Sequence, residues 1–365
     1  HWFAKGAPKL RNHTKNKDTH VNKRLKITTL AALTLSAMYA NAASEPAVVY
    51  DSAGKFDKSF NEAVFRNGVE VYKKDKGITV KEFEPQNEAQ REQGLRRLAS
   101  RGYGPIVAVG FNFASSVEKV AAEFPKTQFT IIDMVVDKPN VQSIVFKEHE
   151  GSFLVGAMAA AESETSIIGF VGGMDLPTIH QYACGYEQGA KYANPAVEVK
   201  QSYASSTPAL AFADPVKGSF LAKSQFDEGV DIVFAAARGT GLGVYQSAAD
   251  AGLRAIGSET NQNGLYPQTM LTSMFKRMGQ AAYTAWEEGE VGTWKPGVLT
   301  LGLADNNVGW VLDDNNKGQL SQALRDKLEA IRIDIVTGKI KVHDYTRTGS
   351  CDYTPPKRGA ICPPA

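Results

Sequence analysis

From residue 47 onward, short apolar runs alternate with longer segments whose apolar positions recur every three or four residues, the rhythm of a parallel α/β sheet. The first runs are Ala47–Asp51, Ile78–Phe83, Pro105–Gly110, Gln128–Asp133 and Val141–Phe146, with helical patterns over 59–74, 88–100 and 114–123 between them. Runs this continuously apolar predict strands buried on both faces. A second series follows a helix over 151–163: Ser166–Gly173, Val197–Ala204 and Asp231–Ala237, with a helix around 181–192. Later strands at Arg254–Gly257 and Met270–Ser273 lead into a helix over 276–289. A Gly-containing stretch over 300–309, a strand at Val308–Leu312 and an amphipathic helix over 320–337 complete the pattern. Two series predict two lobes: 43–145 with 255–295 returning to it, and 146–254 with 296–345, before an irregular tail over 346–365.

The N-terminus departs from this rhythm. Eight Lys and Arg precede the apolar run Ile27–Met38, which is about a dozen residues long, short of the roughly 20 that a spanning helix needs. Ala40-Asn41-Ala42 follows it, so the order is basic flank, short apolar core and small-x-small site. This predicts an export signal cleaved after Ala42, with residues 1–42 outside the fold and the protein delivered to the periplasm. The chain begins with His, and Val21–Lys26 would serve as a compact basic start, so residues 1–20 read as upstream sequence.

Composition changes the picture once that segment is set aside. The 365 residues carry a net charge of +2, but residues 1–42 hold eight of the 41 basic side chains and one of the 39 acidic ones. The remainder is acidic, about −5, and lacks the basic footprint that nucleic acid requires. Cys184, Cys351 and Cys362 suit an oxidising compartment. Cys351 and Cys362 flank a Pro-rich tail and could close a short loop, which is left open, while Cys184 reads as a small buried apolar residue. CxxC and HExxH are both missing from the sequence, so neither metal nor cofactor is expected.

In open parallel sheets, ligands sit beyond the carboxyl ends of the strands. The residues there are Asp51, Asn112, Asp133, Gly172, Gly239 and Glu259. Asp51–Asn61 leaves a strand, turns at Gly54 and opens a helix, which puts Phe60 and Asn61 at a helix N-terminus facing those ends. Phe212 precedes Asp214-Pro215, an N-cap and first helical position in the second series. One aromatic per lobe could sandwich a planar ring. Arg238-Gly-Thr-Gly-Leu-Gly243 resembles a dinucleotide loop, but Val244 stands where the last Gly belongs, so it reads as a tight turn offering backbone N–H groups. The six histidines and the lack of a GxSxG elbow supply no catalytic set.

Taken in order, Asp51 with Asp57–Asn61, Phe129–Asp133, Gly151–Gly156, Ile168–Gly173, Asp214-Pro215 with Lys217-Gly218, Gly239–Gly243, Ile256-Gly257 and Thr272–Lys276 resemble the basic membrane protein family of ABC transporter substrate-binding proteins, the PnrA-like purine nucleoside receptors. The resemblance implies an α/β, type I periplasmic-binding fold: two lobes, each with a mostly parallel sheet flanked by helices, joined by a hinge. It also implies a monomer that catalyses nothing and hands a small molecule to membrane permease subunits. Phe60 and Phe212 would stack on the base; Asp51, Asn61 and Asp133 would hydrogen-bond base or sugar; Gly239 would offer backbone contact; Lys276 would meet ligand or an acidic neighbour. Glu259 stands where the family carries a ribose-binding Asp, and its extra methylene shifts the carboxylate outward. That departure keeps another ring-bearing or sugar-like solute in play; a sensor that docks on a membrane receptor and a nucleoside-processing α/β enzyme are separate alternatives.

Overall fold

The computed structural model describes residues 44–51 and 54–352. The expected export segment, its cleavage after Ala42, and Cys362 lie outside the described residues.

The apolar runs form two six-stranded sheets. The first contains β1 (Ala47–Val49), β2 (Lys81–Phe83), β3 (Ile106–Val109), β4 (Phe129–Ile132) and β5 (Val141–Phe146). The second contains β6 (Ile167–Gly172), β7 (Glu198–Tyr203), β8 (Ile232–Ala236), β9 (Arg254–Glu259) and β10 (Met270–Lys276). Two late strands divide between them: β11 (Gly297–Leu301) and β12 (Val308–Trp310). The orders are β11-β5-β4-β3-β1-β2 and β12-β10-β9-β8-β6-β7. All neighbours run parallel except β10 and β12. Residues Val107, Ile131, Phe170 and Phe234 are fully buried within their strands, as doubly covered parallel sheets require.

This topology moves the expected lobe boundaries. The segment 255–295 splits: β9 and β10 stay in the second sheet, and only the helix Met278–Val291 returns to the first lobe. There the Trp286 indole N–H donates to the Ala47 carbonyl at 3.1 Å. The segment 296–345 splits as well, because β11 pairs with β5 in the first sheet while β12 joins the second. For β9 and β10, buried parallel strands share one apolar signature, so the pattern locates a strand without saying which sheet receives it; β11 is an exposed edge strand that the pattern did not single out. The chain therefore passes between the lobes after β5, after β10 and after β11, and these three crossings form the hinge.

The cysteine expectation also changes. Cys184, on the helix Pro177–Ala193, is bonded to Cys351, 167 residues away. After the helix Gln322–Val336 the chain crosses back over this helix, where the Gln188 side chain donates to the His343 carbonyl at 3.0 Å and accepts from the His343 N–H at 2.8 Å. Cys351 is thereby carried to Cys184, which is buried as expected but bonded instead of free. Part of the tail expected to be irregular forms a short helix, Tyr345–Thr348.

Candidate functional site

Each sheet reverses its strand order beside its first strand, between β1 and β3 in one and between β6 and β8 in the other, and a ligand crevice belongs at such a switch point. The two switch points face each other across the cleft. Asp51 follows β1, Phe111 and Asn112 follow β3, Asp133 follows β4, and Glu148 lies two residues beyond β5. From the other lobe come Arg238 after β8, Glu259 at the end of β9, and Lys276 at the end of β10.

The loop after β1 is held by its own polar groups. The Asp57 carboxylate accepts backbone N–H bonds from Ser59, Asn61 and Glu62 at 2.9–3.1 Å and so starts the helix Phe60–Val64. Asn61 has a different task from the ligand contact expected of it. Its amide accepts from the Asp51 N–H at 3.0 Å and donates to the Asp51 and Gly54 carbonyls, which occupies it in shaping the loop. Asp51 itself accepts from Asn112 at 3.0 Å and from Arg238 Nη1 at 2.7 Å, and Arg91 Nη2 lies 3.7 Å away. Gly110, at φ 112°, closes this corner: a Cβ there would lie 3.2 Å from Asp51 Oδ2 and 3.3 Å from Phe60 Cε1.

Lys276 is the centre of the second cluster. Its ammonium donates to Asp133 Oδ2 at 2.6 Å and Glu148 Oε1 at 2.9 Å, with Glu259 Oε2 at 3.4 Å. The acidic neighbour expected for Lys276 is thus three carboxylates. Burial alone would discharge this lysine, but their combined field overcomes it and holds the ammonium well above its ordinary pKa. Burial pushes the Glu148 carboxyl up to about 8, with Lys276 opposing the shift and Asp133 adding to it. Glu259 is raised for the same first reason, burial. Tyr182 donates its hydroxyl to Glu259 Oε1 at 3.0 Å. Asp133 Oδ1 and Glu259 Oε2 are buried without a hydrogen-bond donor, which is costly unless a further group supplies one.

Three of these residues hold the left-handed backbone region without being glycine: Asp133 (φ 65°), Arg238 (φ 47°) and Glu259 (φ 74°). Such strain persists only where the surroundings impose it, and here it falls on the side chains that meet in the cleft.

The two expected aromatics also meet there, one from each lobe, but with Arg238 between them: its guanidinium carbon lies 3.8 Å from the Phe60 ring centroid and 4.7 Å from that of Phe212. Phe212 rests on Gly173, where a Cβ would collide with its ring. Gly239 lies behind, against the Phe212 carbonyl, where a Cβ would come within 3.0 Å. Beside the stack is a small cavity bounded by Phe111, Leu176, Ile179, Tyr182, Phe212 and the polar ends of Asp133, Arg238 and Glu259. A wider groove opens outward past Glu148 and His149 towards the segment 338–348. His149 is buried and within 2.8 Å of the Gln181 amide; burial lowers its pKa.

Sequence reasoning passed over Glu148, Arg91 and Tyr182 as site residues and saw Arg238 only as the start of a turn. Glu148 and Arg238 follow strand ends by two residues, so the rule that found Asp51 could have found them. Arg91 and Tyr182 lie on helices, where no strand-end signal exists. Among the described residues no group of three His, Cys, Asp or Glu side chains is placed to hold a metal. No helix among the described residues is long and apolar enough to cross a membrane.

Comparison with known proteins agrees with this geometry. The family model described as ABC transporter substrate-binding protein, PnrA-like, matches residues 45–346. An uncharacterized lipoprotein of Pyrococcus abyssi is 31% identical over 73% of this chain and 69% of its own length. The ABC transporter nucleoside-binding protein BmpA of Lactococcus lactis subsp. cremoris is 27% identical over 81% of this chain and 88% of its own. The crystal structure of an ABC transporter system solute-binding protein from Aeropyrum pernix K1 superposes with a TM-score of 0.74 at 26% identity, covering 84% of this chain and 96% of that one. The two lobes are the type I periplasmic-binding fold, and the chain belongs to the PnrA-like family of ABC transporter substrate-binding proteins, which are receptors and not enzymes.

Proposed function

We propose that this protein captures a purine-type solute between its lobes, acting as a monomer in the periplasm, and delivers it to the permease of an ABC importer. A purine nucleoside is the form that the family resemblance and the nucleoside-binding relative favour. The observation that carries the reading is the meeting, at two facing switch points, of one aromatic ring per lobe with two buried carboxylates, Asp133 and Glu259, that each keep one oxygen without a hydrogen bond. A nitrogen heterocycle offers a flat face to the rings and N–H groups to the carboxylates; ribose offers them hydroxyls. The carboxylates gathered around Lys276 leave it no free charge for a phosphate, so nucleotides are poor candidates. The N-terminal pattern supports export, and the Cys184–Cys351 disulfide fits an oxidising compartment.

A second reading, another ring-bearing solute, draws support from Glu259, whose longer side chain stands where a ribose-binding Asp was expected. Both are tested by a thermal-shift screen of the refolded protein against guanosine, adenosine, inosine, uridine, guanosine monophosphate, free bases and common sugars. A ligand at 100 times its Kd stabilises by about 2.7 kcal/mol. Purine nucleosides should raise the melting temperature and the nucleotide should not; a response to sugars alone would remove the purine.

A further inference from the structure

Arg238 stands in the space that a stacked ring would need. Its guanidinium lies between Phe60 of one lobe and Phe212 of the other, and Nη1 donates across the cleft to Asp51 Oδ2 at 2.7 Å. The side chain is almost fully buried, and its backbone sits at φ 47°, a strained conformation for a non-glycine residue. The cavity beside it has room for about one water molecule, so with the lobes this close together a ring fits only where a side chain leaves. Phe60 is packed beneath its helix and Phe212 against Gly173; the long, unbranched side chain is Arg238.

The chemistry of the guanidinium indicates what could replace it. It is a flat group that offers its faces to two rings and an N–H edge to a carboxylate. A ligand that drives it out while giving nothing to Asp51 would deprive a buried carboxylate of its shortest bond, a costly exchange. A guanine-type ring contains a guanidine unit within it: N1–H and the C2 amino group lie on one edge, next to flat faces. An adenine ring presents a bare nitrogen acceptor at N1, which a carboxylate repels.

We infer that Arg238 is a built-in competitor for the ring slot, and that the ligand displacing it carries a guanidine-type N–H edge that takes over the bond to Asp51. The inference rests on the purine reading above and specifies which purine edge the site selects.

The test compares wild type with Arg238→Gly, a change that also suits the left-handed backbone. Both are titrated calorimetrically with guanosine and adenosine, and melting curves establish that both are folded. Losing a desolvated stack and its ion pair should tighten guanosine binding by about ten-fold or more in the variant. Guanosine should bind more tightly than adenosine to both proteins. Equal or weaker guanosine binding by Arg238→Gly, or a preference for adenosine, overturns the inference while leaving the purine reading intact. If neither protein binds any purine, that reading falls, and methylguanidinium decides the rest. It should raise the melting temperature of Arg238→Gly and not of wild type; equal responses overturn the inference.

Discussion

Lys276 brings one positive charge to three carboxylates that are cut off from water, and this imbalance governs how the cluster responds to pH. Glu148 keeps its proton up to about pH 8 in the fold, whereas the unfolded chain releases it near the ordinary value of 4.5. Between those values the folded state binds more protons than the unfolded one, so this group makes stability fall as pH rises. Glu148→Gln removes the term. Melting curves from pH 5 to 8 should therefore fall less steeply for the variant than for wild type; parallel curves would show that Glu148 does not hold the proton. At this scale the sequence was informative where a side chain follows a strand end. It was silent on Tyr182, and it gave Asn61 a ligand role because its position is right while its partners, three backbone groups of its own loop, depend on the folded turn.

At the scale of elements, most strands were legible because each is a short run bounded by polar residues, but β11 was not: it is an exposed edge strand that runs into what read as a Gly-containing stretch. Assignment to sheets was not legible either, since an apolar run such as β9 carries no mark of the sheet that receives it. The cysteine pairing was illegible for a related reason. It depends on where the chain crosses after the helix Gln322–Val336, not on spacing. The Cys184–Cys351 bond ties the segment 338–352, one wall of the outer groove, to the helix that bears Tyr182. Replacing both cysteines by serine should lower stability by about 2–4 kcal/mol, read as a fall in melting temperature, because the bond closes a long loop. An unchanged melting temperature would mean that the pairing contributes nothing to the fold.

For the whole molecule, the hinge consists of three crossings, and polar contacts span the cleft beyond it. Arg238 meets Asp51, Lys276 meets Asp133, and the Gln262 amide donates to the Lys58 carbonyl at 2.9 Å. Type I receptors open and close about such hinges, and a ligand favours the closed form only through contacts it makes with both lobes. Asp133 is well placed for that role. It belongs to the first lobe, is bonded to Lys276 of the second, and keeps one buried oxygen without a donor. The account stands or falls on whether that oxygen serves a ligand, and the direct measurement is calorimetric titration of wild type and Asp133→Ala with guanosine. The expected result is saturable one-to-one binding by wild type and none by the folded variant. Equal binding by the two proteins, or none by wild type, would contradict it.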